Sequence, residues 1–252
     1  MKKWNREETI VAFNVYCKIP FQSSSKNNPT VIQYAKILDR SPSALSMKIG
    51  NIGRLDPDLQ AKGIVGLSHG AKLEEEIWKE FYEDPEGFIY ESEKLISLFS
   101  KQSIEVSAEI ETDDLPKGIE RETIVRRRIN QSFFRMAVIS SYNYRCCISG
   151  VGNKELLEAC HIVDWVQDAD NRTNPKNGLC MNSFFHKAYD KYLLGITPDL
   201  KIIISEELMQ STNEPLFKKY LAELNGKNIA LPYRFFPKRD LLEIHYEKFK
   251  SQ

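Results

Sequence analysis

Residues 145–205 read RCCISGVGNKELLEACHIVDWVQDADNRTNPKNGLCMNSFFHKAYDKYLLGITPDLKIIIS, an alternation of short apolar runs and turn residues. Leu156 to Val163 reads as a strand. A polar loop then leads to Asn174, Pro175, Lys176, Asn177 and Gly178, a turn whose Asn-Gly pair is a strong hairpin signal. Leu179 to Met181 forms the short return. Ser183 is placed to cap a helix in which His186 is the third helical residue and Asp190 follows one turn later on the same face. The order is strand, loop, strand, helix.

His161 and His186, two of the chain's four histidines, fall on the first strand and the closing helix of this small unit. An imidazole with an ordinary pKa near about 6.5 can take a proton from water at neutral pH. A second imidazole together with a carboxylate can hold a divalent cation against a phosphate, and the start of a helix attracts that phosphate further. The pairing points to metal-assisted phosphodiester cleavage. His69, within Ser68-His69-Gly70, and His245 have no partner in the sequence and read as structural.

The segments LEACHIVDW, NPKNGLC and FFHKAYDKYLLGIT resemble the HNH nuclease family, with its ββα-metal fold, and more closely its restriction-endonuclease branch. His161, Asn177 and His186 match the three letters of the name, spaced 16 and 9 positions apart. The resemblance continues through LPYRFFPKRDLLEIHYEKF and back to about Arg121, and the opening helical segment resembles the region found ahead of such nuclease domains. It implies three roles: His161 as general base, Asn177 as the residue fixing the loop that orients it, and His186 as ligand of a divalent metal, Mg²⁺ or Mn²⁺. Many family members carry an aspartate just before the base, where this chain has Cys160. A thiolate is a soft ligand and matches Mg²⁺ poorly, so Glu158 or Asp190 could supply the oxygen, and Asp190 is preferred. The candidate metal set is therefore His186, Asp190 and Cys160. Relatives also carry two C-x-x-C pairs for structural zinc. The corresponding positions are Cys146 with Ser149 and Cys180 with Ser183, so no structural zinc is expected. Cys146, Cys147 and Cys180 join the core as small hydrophobes.

Upstream, the first 95 residues read as mostly helical. Asn5 and Glu8 form a capping box ahead of Ile10, Val11, Phe13 and Cys17. Pro29 opens a second helix, and Ser41-Pro42 a third carrying Leu45, Ile49 and Ile52. Two helices across a tight turn can present Ser43, Met47, Lys48 and Asn51 to a DNA groove, and equally can be a helical hairpin in a core. Residues 101–120 are acidic, with Pro116 and Gly118, and read as a linker. The sign then flips. Arg126, Arg127 and Arg135 lie on a helix from about Glu122 to Ser140, where they can hold phosphates or simply be solvated.

Across all 252 residues, 35 Lys plus Arg balance 35 Asp plus Glu, which excludes a global field toward nucleic acid or an anionic membrane. No stretch approaches the roughly 20 apolar residues of a membrane helix, and MKK is followed by polar residues, which suits a cytoplasmic protein. Five cysteines, an odd number, suit free thiols. The expectation is an α+β chain: a helical domain over 1–100 for DNA binding or assembly, the acidic linker 101–120, and a nuclease domain over 121–252. Its activity would be metal-dependent DNA hydrolysis in restriction or phage defence, without a membrane partner. A homodimer is attractive because one small site cuts one strand. The alternatives are a DNA-binding protein with a decayed nuclease unit, kept open by Cys160, and a non-specific or RNA-directed toxin nuclease.

Overall fold

The computed structural model describes residues 3–64, 72–111 and 118–252. His69 and the acidic residues Asp113 and Asp114 lie outside them. The chain divides into two compact units, Met1–Ser141 and Tyr142–Gln252. The fold is α+β, with helices in the first unit and two small antiparallel sheets among helices in the second.

The first unit is built around α1 (Arg6–Lys18), whose residues from Glu8 to Cys17 are all buried. Asn5 and Glu8 form the expected capping box, each side chain bonding the other's backbone N–H. Around α1 pack α2 (Pro29–Ile37), α3 (Pro42–Gly53), the short α4 (Pro57–Gln60), α5 (Lys72–Glu83), α6 (Pro85–Ser100), the short α7 (Ile104–Ser107) and α8 (Ile119–Ser141). Phe13, Tyr16, Trp78, Phe81 and Phe88 form one aromatic cluster, with Phe13 and Phe81 ring centroids 4.8 Å apart. A central helix buried on every side shows no single apolar stripe, so its polar residues need internal partners. Glu8 accepts from Arg40 at 2.6 Å, and Asn14 donates to Ser92 at 2.7 Å.

Two sequence expectations change here. Lys48 does not face solvent as a nucleic-acid contact. It is 4% exposed, donates to Glu74 at 2.6 Å and packs its ammonium over the Trp4 ring, because α3 turns that side toward α5. Residues 101–111 are not an extended tether. Ser103 caps α7, which packs on α6, and Glu105 pairs with Arg121 at 2.9 Å. The break between units falls after α8, at Ser141 and Tyr142, because α8 packs on α1 and α6.

The second unit opens with β1 (Leu157–His161) paired antiparallel to β2 (Gly178–Asn182), with His161 opposite Gly178 and Cys160 opposite Leu179. α9 (Ser183–Asp190) follows directly and packs on both strands. Then come β3 (Leu194–Ile196) paired to β4 (Ile202–Ile204), α10 (Glu206–Gln210), α11 (Pro215–Leu224) and α12 (Arg239–Lys250). Asn177-Gly178 is not a two-residue hairpin. The strands are joined by the whole of 162–177, and Gly178 is extended at φ −130° as the first residue of β2. The cap of α9 also differs by one residue. Asn182 accepts from the Phe185 N–H at 3.0 Å, which releases the Ser183 hydroxyl to donate to Glu158 at 2.9 Å and makes His186 the fourth helical residue.

Candidate active site

Geometry begins with the loop behind β1. Asn177 is fully buried and makes a two-way bond to Val163: its Oδ1 accepts from the Val163 N–H at 2.9 Å, and its Nδ2 donates to the Val163 carbonyl at 2.9 Å. Its backbone carbonyl accepts from Ile162 N–H at 2.9 Å, and Nδ2 also reaches the Asn171 carbonyl at 3.3 Å. One side chain thus ties both ends of the 162–177 loop together immediately after His161. An amide is suited to this because it donates and accepts at once.

The loop returns a backbone group to His161. Arg172 carbonyl lies 2.9 Å from His161 Nε2, so this nitrogen donates and the neutral ring carries its basic lone pair on Nδ1. The Trp165 ring meets the imidazole edge-on, centroids 5.7 Å apart at 89°, and the Arg172 guanidinium lies 5.3 Å over the indole. Burial pushes the His161 pKa below the ordinary histidine value, opposed by the Arg172 carbonyl bond and the charge of Asp164. The ring is therefore neutral at neutral pH, the state a general base requires.

His186 is held from both ends. Its Nδ1 bonds Glu158 Oε2, while its Nε2 faces Asp190 Oδ2 at 3.3 Å, one helical turn on. The two ring nitrogens point in different directions, so a proton on Nδ1 toward Glu158 directs the Nε2 lone pair to the side where Asp190 lies. Cys160 completes the group: its Sγ lies 3.8 Å from Asp190 Oδ1, and Cys160, His186 and Asp190 each bring a ligand atom within 4.8 Å of the others. Cys160 is 0% exposed, and burial, reinforced by Asp190, raises its thiol pKa well above the ordinary range. It is a neutral thiol donating to Asp190, whereas Asp190 is an open carboxylate with 54% of its side chain exposed.

His161, His186 and Asp190 line one cleft of about 270 Å³, with Asp164, Gln167, Tyr192 and, from the last helix, Ile244, His245 and Lys248. Asn177 stands behind the cleft wall rather than in it. A basic nitrogen, a second imidazole and an exposed carboxylate around one opening suit proton removal from water beside a bound cation. His245, which had no partner in the sequence, stacks on Tyr189 at 3.6 Å and its Nε2 lies 3.2 Å from the Tyr189 carbonyl. Cys146, Cys147 and Cys180 are buried.

The nucleic-acid candidates of the first unit are placed separately. Ser43 and Met47 are exposed on α3, and Arg126, Arg127 and Arg135 are exposed on α8, with Arg126 over the Tyr90 ring at 5.5 Å. Three contributors to the cleft carried little sequence signal. The Arg172 carbonyl is a backbone group, Glu158 had only its strand position, and Lys248 lies more than fifty residues past the histidine motif. Only the helical spacing of Ile244, His245 and Lys248 hinted at a shared face.

Among the described residues, no helix is long and apolar enough to cross a membrane. Residues 146–197 match a family model described as HNH endonuclease, a span that contains β1, β2, α9 and two of the cleft's histidines, His161 and His186. No curated protein matches the chain.

Proposed function

With residues 146–197 belonging to the HNH endonuclease family, we propose that the protein is a metal-dependent DNA endonuclease in which His161 is the general base and His186 and Asp190 hold the divalent cation. The observation that carries this reading is the convergence of His161, His186 and Asp190 on one cleft, although His161 and His186 lie 25 positions apart.

His161 Nδ1 takes the proton of a water molecule while the Arg172 carbonyl keeps the other nitrogen protonated and the ring oriented. Asn177 holds the loop that carries that carbonyl and is a positioning residue. Glu158 fixes the His186 tautomer, a carboxylate behind an imidazole that also raises its basicity as a ligand. The donor set fits Mg²⁺ or Mn²⁺: Asp190 supplies hard oxygen and His186 nitrogen, while the sulfur of Cys160 is the donor such a cation would use least. Such a cation, when bound, neutralises charge developing on the phosphate and on the departing oxygen. Phosphate geometry rather than base identity is what this small unit addresses, and a restriction or phage-defence role fits a chain with a separate helical unit for target choice.

Plasmid nicking with Mg²⁺ or Mn²⁺ tests the reading. His161→Ala is expected to lose roughly 10²- to 10⁴-fold in rate, and EDTA is expected to abolish cleavage by the wild type. Equal residual activity in wild type and His161→Ala defeats it. That result would favour a DNA-binding protein with a decayed nuclease unit, whereas cleavage confined to structured RNA would point to a toxin nuclease.

A further inference from the structure

The cleft has a wall that the matched family segment does not supply. α12 begins at Arg239, well past residue 197, and contributes Ile244, His245 and Lys248 to the lining. Helical spacing puts 244, 245 and 248 on one face, so a single helix surface closes this side. Its last two turns are firmly seated. The His245 ring lies flat on Tyr189, the residue before Asp190, at 4° between planes, and its Nε2 bonds the Tyr189 carbonyl. On the other flank Phe249 presses so close to Gly195 of β3 that a Cβ there would come within 2.8 Å of the ring. Lys248 lies between these two anchors, one turn from His245.

Lys250 of this helix pairs with Glu247 and Arg239 with Asp199, whereas Lys238, its N-cap, donates to the neutral Asn171 Oδ1 at 3.0 Å. Lys248 likewise donates to a neutral amide, Gln167 Oε1, and this one lines the cleft. Among the described residues lining the cleft, Asp164 and Asp190 carry negative charge and Lys248 alone a permanent positive one. An exposed ammonium held by a neutral acceptor keeps its charge available, and a phosphodiester entering between two carboxylates needs a cation to offset them.

We propose that Lys248 binds a non-bridging oxygen of a backbone phosphate in the cleft and so positions the strand against His161, which makes α12 part of the substrate site. This rests on the endonuclease reading above. Swinging from Gln167 to phosphate exchanges a hydrogen bond to a neutral acceptor for one to an anion, which favours the move when substrate arrives.

The test uses the full chain and a short DNA duplex, in two measurements. Binding is followed by fluorescence anisotropy across a salt series in a His161→Ala background, where cleavage does not interfere, and nicking is followed with His161 intact. Lys248→Ala is expected to reduce the slope of log affinity against log salt by about one, and to lower kcat/KM roughly ten- to hundredfold. Lys248→Arg, which keeps the charge, is expected to restore most of both. Lys250→Ala removes a neighbouring cation of the same helix end that does not line the cleft, and is expected to change the slope less than Lys248→Ala. Circular dichroism of each variant controls for folding. An unchanged slope and rate in folded Lys248→Ala, or an equal effect from Lys250→Ala, overturns the proposal. Absence of nicking by the wild type with every divalent cation overturns the endonuclease reading instead, and the salt slope alone then decides whether Lys248 meets phosphate.

Discussion

Asn177 occupies no place in the cleft, yet its amide bonds both backbone groups of Val163, two residues past His161. Both Val163 backbone groups depend on it, and Val163 is itself 6% exposed, so truncation leaves a donor and an acceptor without water to replace the lost bonds. Asn177→Ala is expected to destabilise the protein by about 2 to 4 kcal/mol, measured by urea unfolding, and to slow nicking. Asn177→Asp sets a buried carboxylate oxygen against the Val163 and Asn171 carbonyls in place of the donor, and is expected to destabilise at least as much as Ala. Wild-type stability in Asn177→Ala would show that the loop does not depend on this clamp. The three residues of the motif were visible as residue types and spacing, and the same applies to Asp190 as the carboxylate one turn from His186. The role of Glu158 was not visible, because a strand position does not reveal which ring nitrogen a carboxylate will meet.

At the scale of elements, α12 and α9 are joined through a titratable ring. Burial, with a smaller contribution from Lys248 and against the Tyr189 carbonyl bond, lowers the His245 pKa from 6.5 to about 4. The unfolded chain then binds a proton that the folded one refuses, so stability falls as pH drops from 6.5 toward 4 and is fully present above 6.5. The shift corresponds to about 3 kcal/mol at the acid end. His245→Phe preserves the ring against Tyr189 and removes the titration, so its thermal melting temperature is expected to decline less steeply over that interval than the wild type's. Parallel curves would refute the assignment. Helix starts at Asn5, Pro29 and Pro42 were readable because caps and N1 prolines act locally. The α9 cap was displaced by one residue because Asn182 and Ser183 can both cap, and the choice depended on Glu158 recruiting the serine hydroxyl across the sheet. The Asn-Gly pair misled for a related reason: a two-residue hairpin would have brought β1 and β2 together directly, but the pairing of His161 with Gly178 leaves residues 162–177 as a loop that wraps back to bond them.

The whole molecule carries equal numbers of positive and negative side chains, so any attraction for nucleic acid has to come from where charges stand. Arg126 and Arg127 are exposed on α8 and Lys48 is not, which moves the best phosphate-binding candidates of the first unit from the second helix of the helical pair to the long helix. Replacing both arginines by alanine is expected to reduce the slope of log DNA affinity against log salt by up to about two. An unchanged slope would assign them to a solvated face. If the cleft cuts one strand at a time, as the proposed endonuclease would, nicked circles are expected to accumulate before linear plasmid, as a time course on gels would show.

Local chemistry sufficed for the order of helices, the strand-loop-strand-helix unit and the pairing of His161 with His186, because caps, turn residues and motif spacing act over a few positions. Four things waited for packing: the burial of Lys48 against Glu74, the protonated state of the Cys160 thiol, the opposed placement of Glu158 and Asp190 on His186, and the arrival of Lys248 beside the cleft. Each depends on which surfaces are excluded from water and which distant segments meet, and hydrophobic burial settles both only once the chain has folded.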